Sequence, residues 1–274
     1  MAQIREIKKR IKSVANTQKV THAMELVAAA KMRKAQTLAL AGRPYSICLH
    51  EILSYVQTKA TGFSHKLLKK NKSENQLIII ISSDRGLAGG LNINIFREIL
   101  RTEPKNAKYI SIGKKARDFV AKTQGDLVAS FESEEKSPLV MARLITKMAT
   151  SSYLHGEVGT VSLIYPHFES TIKQNPKWVQ LLPILPFEKI EENGNLQEDL
   201  LMEPSADRIL EFMLSHHILT QIYQVLVEAK ASEHSARMVA MKNATDAAED
   251  LSEDLTLTYN QARQEAITKE LLDI

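Results

Sequence analysis

The chain has 274 residues, 44% of them hydrophobic and 25% charged, with a formal net charge of +4. That is enough chain for one large domain or two modest ones, and an ordinary charge level for a water-facing protein. No apolar run approaches the roughly 20 residues needed to cross a bilayer, the N-terminus lacks an apolar signal core, and a single cysteine, Cys48, excludes an internal disulfide framework and points to a reducing compartment.

Met1 to Ala41 contains neither Gly nor Pro. Ile4, Ile7, Ile11 and Val14 recur at three-four spacing and predict one apolar helical face. The stripe then slips, since Val20, Met24, Val27 and Ala28 continue it out of strict register. Gly42 and Pro44 predict a break or kink, after which an apolar helical pattern resumes to about Val56. The period then changes. Leu77 to Ile81 is a β-branched run that reads as a buried parallel strand. Arg85 to Gly90 reads as a loop, Asn92 to Arg101 as a helix and Lys108 to Ile112 as a strand. Lys114 to Lys122 reads as a helix and Leu127 to Phe131 as extended. Pro138 at a first helical position opens a helix to about Leu154. Val158 to Tyr165 and Trp178 to Ile184 read as a hairpin-like pair of strands, and Phe187 to Glu203 as a linker. This alternation predicts a Rossmann-like layered α/β domain.

Ser205 is a candidate N-cap, and from it to Ile274 there is again no Gly or Pro. An unbroken helix of that length would be on the order of 100 Å long. It is too polar to span a membrane, so it requires a coiled-coil partner. Met1 to Leu40 carries nine Lys/Arg against two Glu, and Thr245 to Ile274 carries eight Asp/Glu against two Lys/Arg. Opposite charge on two long end helices suits antiparallel pairing.

Three functional readings compete. The loop SDRGLAGGLN, Ser83 to Asn92, sits between strand and helix and could aim backbone N–H groups at a phosphate. Its spacing fits neither the Walker pattern nor GxGxxG, so a tight strand-to-helix turn is the plainer reading. The basic N-terminal stripe could meet nucleic acid, but it lacks interleaved aromatics, and acidic protein partners suit it better. The neighbouring His216 and His217 point about 100° apart on a helix and do not form a chelating pair. His234 reads as a surface residue, and Met238 and Met241 as packing. No nucleophile–base pair, carboxylate dyad or metal triad has convincing spacing. A mechanical role is favoured over a catalytic one.

Four segments carry a resemblance. IREIKKRIKSVANTQKVTHAMELVAAAKMRKAQ, Ile4 to Gln36, closely resembles the N-terminal helix of F-type ATP synthase gamma subunits. ASEHSARMVAMKNATDAAEDL, Ala231 to Leu251, and LTLTYNQARQEAITKELLDI, Leu255 to Ile274, look like that family's C-terminal signatures. SSDRGLAGGLN, Ser82 to Asn92, matches its internal loop. The matches run in the family's order from end to end.

The resemblance implies an α/β fold class with a long antiparallel coiled coil: a helix over 1–58, a Rossmann-like domain with its linker over 59–204, and a helix over 205–274. It implies a non-catalytic central stalk that turns inside a ring of alpha and beta subunits, with the catalytic sites on beta. The α/β domain would contact the epsilon subunit and the c-ring. Such a chain would couple proton flow to ATP synthesis or hydrolysis and help regulate both. It would need no cofactor, metal or nucleic acid, and would lie peripherally at the cytoplasmic face of a bacterial inner membrane. Coupling and subunit contacts carry over to Met24, Lys31, Arg33, Asp84, Arg85, Arg263, Gln264 and Thr268. His22 stands where many relatives have Lys, and Ala88 where Cys is common, so no thiol chemistry follows there.

Overall fold

The computed structural model describes residues 2–60, 65–135, 137–185, 202–203 and 205–272. Most of the linker expected over Phe187 to Glu203 lies outside the described residues. Two helices dominate: α1 (Ala2–Lys59, 58 residues) and α5 (Ala206–Leu272, 67 residues). At 1.5 Å per residue they are roughly 90 and 100 Å long. They run antiparallel. The Thr245 hydroxyl meets that of Thr21 at 2.8 Å, Gln224 Nε2 donates to the Ala39 carbonyl at 2.9 Å, and Tyr45 Oη lies 2.5 Å from His216 Nε2. Ser205 caps α5 as expected, its hydroxyl accepting from the Arg208 N–H at 3.4 Å.

The apolar residues of α1 do leave register, but the buried seam does not. From Ile4 to Ala60 every position on an alternating three-four series is at least partly buried, and so is every such position from Ala206 to Ala266 on α5. A seven-residue repeat sustained this way is the seam of a left-handed two-helix coil. Its chemistry changes where the hydropathy pattern breaks. Gln18, Thr21 and Glu25 face inward while Val20, Leu26 and Val27 are each 58% exposed.

The expected break at Gly42 and Pro44 is also absent, for α1 runs through both. Gly42 lies on the seam, where a Cβ would come 2.7 Å from Gln224 Oε1. The missing side chain leaves room for Gln224 to cross and reach the Ala39 carbonyl, one turn from the position where Pro44 removes a helix donor.

Between the long helices lie β1 (Gln76–Ile81), α2 (Leu91–Thr102), β2 (Ala107–Ile112), α3 (Lys114–Lys122), β3 (Asp126–Phe131), α4 (Pro138–Leu154), β4 (Thr160–Phe168) and β5 (Gln174–Leu182). The strands form one sheet in the order β3-β2-β1-β4-β5, parallel except for β5. Strands β4 and β5 begin and end differently from the alternation in the sequence. Past Ile164, β4 has left β1 and pairs with β5 alone, with Pro166 opposite Pro176. A missing N–H is tolerated on such an overhanging ribbon and on an edge strand, so the prolines did not end the strands.

The sheet is covered on both faces, which is why β1 reads as an unbroken apolar run. Ile78 and Ile80 face α2 and α3 with Ile95, Ile99, Ala116 and Val120. Leu77, Ile79 and Ile81 face a larger core. That core takes in α4, the end of α1 (Leu49, Leu53, Val56) and the first third of α5 (Leu210, Leu214, Ile218, Ile222). The rod and the α/β domain therefore share one hydrophobic interior.

Candidate functional site

In an open α/β sheet a ligand crevice lies beyond the carboxyl ends of the strands, where the strand order reverses. Here the reversal falls between β1 and β4, and the glycine loop begins at its mouth. The chain fills that place with its own groups. Asp84 Oδ1 accepts from the N–H groups of Lys114 and Ser133 at 3.1 Å each, and Oδ2 from that of Glu134 at 3.0 Å. Gly113, at φ +93°, carries the end of β2 so close that a Cβ would stand 2.3 Å from the Ser82 carbonyl oxygen. Ser82 Oγ accepts from the Ala116 N–H at 2.8 Å. Asn92 reaches back along α2, accepting from Ser83 N–H and donating to Ser83 Oγ. Helix α5 lies over the opening, and the space left among Ile81, Ser82, Leu91, Ser133, Leu226 and Glu233 is about 10 Å³. That is at the lower limit for a single water and far too small for a phosphate. The glycine loop itself is more open: Arg85 to Leu87, Gly89 and Gly90 are exposed, and Gly89 and Gly90 line a surface groove of about 350 Å³ with Lys173, Asn175 and Asn243.

The residues singled out from the sequence fall into three places. Lys31, Asp84 and Arg85 meet where the α/β domain touches the rod. Lys31 Nζ is 3.8 Å from Glu134 Oε1, next to the loop that Asp84 holds, and Arg237 of α5 donates to the Arg85 and Gly86 carbonyls at 3.4 Å. Arg85 is exposed, whereas the Asp84 carboxylate points inward at backbone amides rather than outward at a partner. Arg33 is exposed on α1 nearby in sequence, and Met24, half-buried, lies about two turns from Lys31. Arg263, Gln264 and Thr268 are exposed near the end of α5, with Gln264 and Thr268 lining one open groove. The Thr21–Thr245 pairing sets Met24 level with about residue 242, so the Arg263 segment stands roughly 30 Å farther along the rod. Met24 and the Arg263 segment therefore do not converge.

Sequence reasoning missed the buried titratable groups of α5. His234 is not a surface residue. It is 9% exposed, and burial first, then Arg237, Lys31 and Lys230, lowers its pKa from 6.5 to about 4. His217 is also lowered to about 4, by burial and then by His50 and His216. Glu233 is raised by burial, an effect that its 2.9 Å pairing with Arg237 partly offsets. Both histidines lie on the three-four series of α5, and that spacing was the available signal.

A family profile described as ATP synthase matches residues 3–274. The ATP synthase gamma chain of Methylacidiphilum infernorum is 40% identical, with all of this chain and 97% of that one aligned. That of Moorella thermoacetica is 39% identical over the same shares. The chain belongs to the ATP synthase gamma-chain family. Among solved structures, the rotor of Euglena gracilis mitochondrial ATP synthase superposes with a TM-score of 0.68 at 20% identity, covering 97% of this chain and 99% of that one. The central stalk and c-ring structure of the Tetrahymena thermophila mitochondrial enzyme contains a chain that superposes at 0.60 and 25% identity, covering 82% of this chain and 99% of that one. No helix among the described residues is long and apolar enough to cross a membrane.

Proposed function

We propose that this chain is the central shaft of a bacterial F-type ATP synthase. It turns inside the ring of alpha and beta subunits, with its α/β domain as a foot on the epsilon subunit and the c-ring. The catalytic sites belong to the beta subunits, and the foot faces the cytoplasmic side of the inner membrane. The observation that carries this reading is the continuous seam between helices of 58 and 67 residues, rooted in the foot's own core. One long helix bends easily, whereas two helices locked along a seam form a rod that can carry torque.

The rod's outer surface supports the same role. Val20, Leu26, Val27, Leu40 and Ile47 are more than half exposed on α1, apolar side chains that a close-fitting sleeve would cover. Exposed charges such as Lys31 and Arg33 contribute under about 1 kcal/mol per contact, weak enough to be made and broken as the shaft turns. Met24, Arg263, Gln264 and Thr268 form coupling contacts at two heights on the shaft. Through these contacts the shaft also helps to regulate ATP hydrolysis and proton flow. Co-purification with alpha and beta subunits tests the reading. The expected result is a stable complex, and a chain that never enters it would overturn the proposal.

A further inference from the structure

Ala231 to Ala236 is, among the described residues, the longest run of consecutive buried residues in any helix. A helix in a two-stranded rod leaves much of every turn in water, so a segment buried all round is enclosed by something besides its partner. Ser232 Oγ and His234 Nδ1 are buried in this run without a hydrogen-bond partner among the described residues, whereas its other polar side chains are tied to the foot or to Arg237. Ser235 Oγ donates to the Thr171 carbonyl in the β4–β5 turn at 2.7 Å. Ala236 packs on Ala88 and Leu91 beside the glycine loop. Glu228, two turns earlier, accepts from the Phe168 N–H at 3.1 Å and the Tyr165 hydroxyl at 3.3 Å, and pairs with His167. Arg237 is clamped to Glu233, both side chains 11% exposed, and holds the carbonyls of Arg85 and Gly86. Asp84 fixes the loop whose Glu134 lies 3.8 Å from Lys31, a half-exposed and weak contact that brings the joint up to α1.

Hydrogen bonds resist turning away from their axes, a directional restraint added to the non-directional packing of the shared core. We infer that Glu228 to Arg237, together with the Asp84 clamp, is the joint through which torque passes between foot and shaft, with Asp84 as its positioning residue. This rests on the rotor reading. The clamp makes a sharp prediction for Asp84→Asn. The amide oxygen keeps Lys114 and Ser133, but the new NH₂ group faces the Glu134 N–H, donor against donor. The acidic loop should come loose while the fold stays intact.

The test uses the full chain assembled with alpha and beta subunits. In Asp84→Asn, amide hydrogen exchange at Glu134 should rise by roughly tenfold, the size of one lost charge-assisted hydrogen bond. In the nucleotide-arrested complex, the angular fluctuation of a bead fixed to the foot should widen. Ser235→Ala, which releases the β4–β5 turn without touching Asp84, should widen it too. Unchanged exchange in Asp84→Asn would overturn the clamp, and unchanged angular width in both variants would overturn the joint. Failure of the unsubstituted chain to assemble would strike the rotor reading itself.

Discussion

The interior of the sheet is built almost wholly from branched aliphatic side chains, whereas the seam between α1 and α5 mixes Ile, Leu, Ala and Met with Gln18, Thr21, Glu25, His217, Gln224, His234 and Thr245. The sheet holds one shape, and its residues are chosen for volume. The seam must keep two rods in register over a great length, and uniform apolar contact would allow sliding by a whole repeat. Polar pairs at fixed heights, such as Thr21 with Thr245, set the register at some cost in stability.

The largest expected effect separates the two interiors. Ile79, at the centre of β1, is fully buried, and Ile79→Ala should cost about 2–5 kcal/mol in denaturant unfolding of the full chain. A smaller loss would mean that the sheet can collapse around a cavity.

Acid should attack the seam next. His217 and His234 bind protons near pH 4 when folded and near 6.5 when unfolded. Their stabilising contribution is complete above about pH 6.5 and is lost as pH falls toward 4. Thermal midpoints should drop across that window, and His217→Met should flatten the slope. An unaltered slope in that variant would show that the seam histidine does not carry the pH dependence.

A third variant probes the close crossing of the helices. Gly42→Ala places a Cβ against Gln224 and should cost about 1 kcal/mol, less than the cavity in the sheet because Gln224 is flexible. Adding Gln224→Ala should remove the clash, which a double-mutant cycle would register as coupling. The smallest effect is expected at Thr245→Val, under about 1 kcal/mol, since it deletes one partly buried hydroxyl pair. Its clearer signature would be a loss of helix register, read by cross-linking across the seam.

The same contrast explains what the sequence disclosed. β1 could be read because both faces of the sheet demand apolar residues, so Leu77 to Ile81 is unbroken. The seam could not be followed past Val14 by hydropathy, because its next positions are Gln18, Thr21 and Glu25 while Val20 and Val27 point outward. His234 looked exposed because its neighbours are Ser and Glu, yet those neighbours are buried with it. The inward turn of Asp84 was hidden because its three amide partners lie 30, 49 and 50 residues downstream. Local pattern reports what a segment can do alone, and these positions are fixed by segments far away in the chain.

The shared core has a consequence for synthesis. The face of the sheet formed by Leu77, Ile79, Ile110, Ile112 and Leu163 is covered in part by Leu210 to Ala229 of α5. While a ribosome makes the first three-quarters of the chain, the part of that face that α5 will cover still stands open to water and to other chains. The helix that closes it continues, without interruption, into the far end of the rod. A nascent chain thus cannot finish its foot without committing to its shaft, and one cut short before residue 229 should be recognised by the cell as an unfinished surface rather than released as a smaller stable domain.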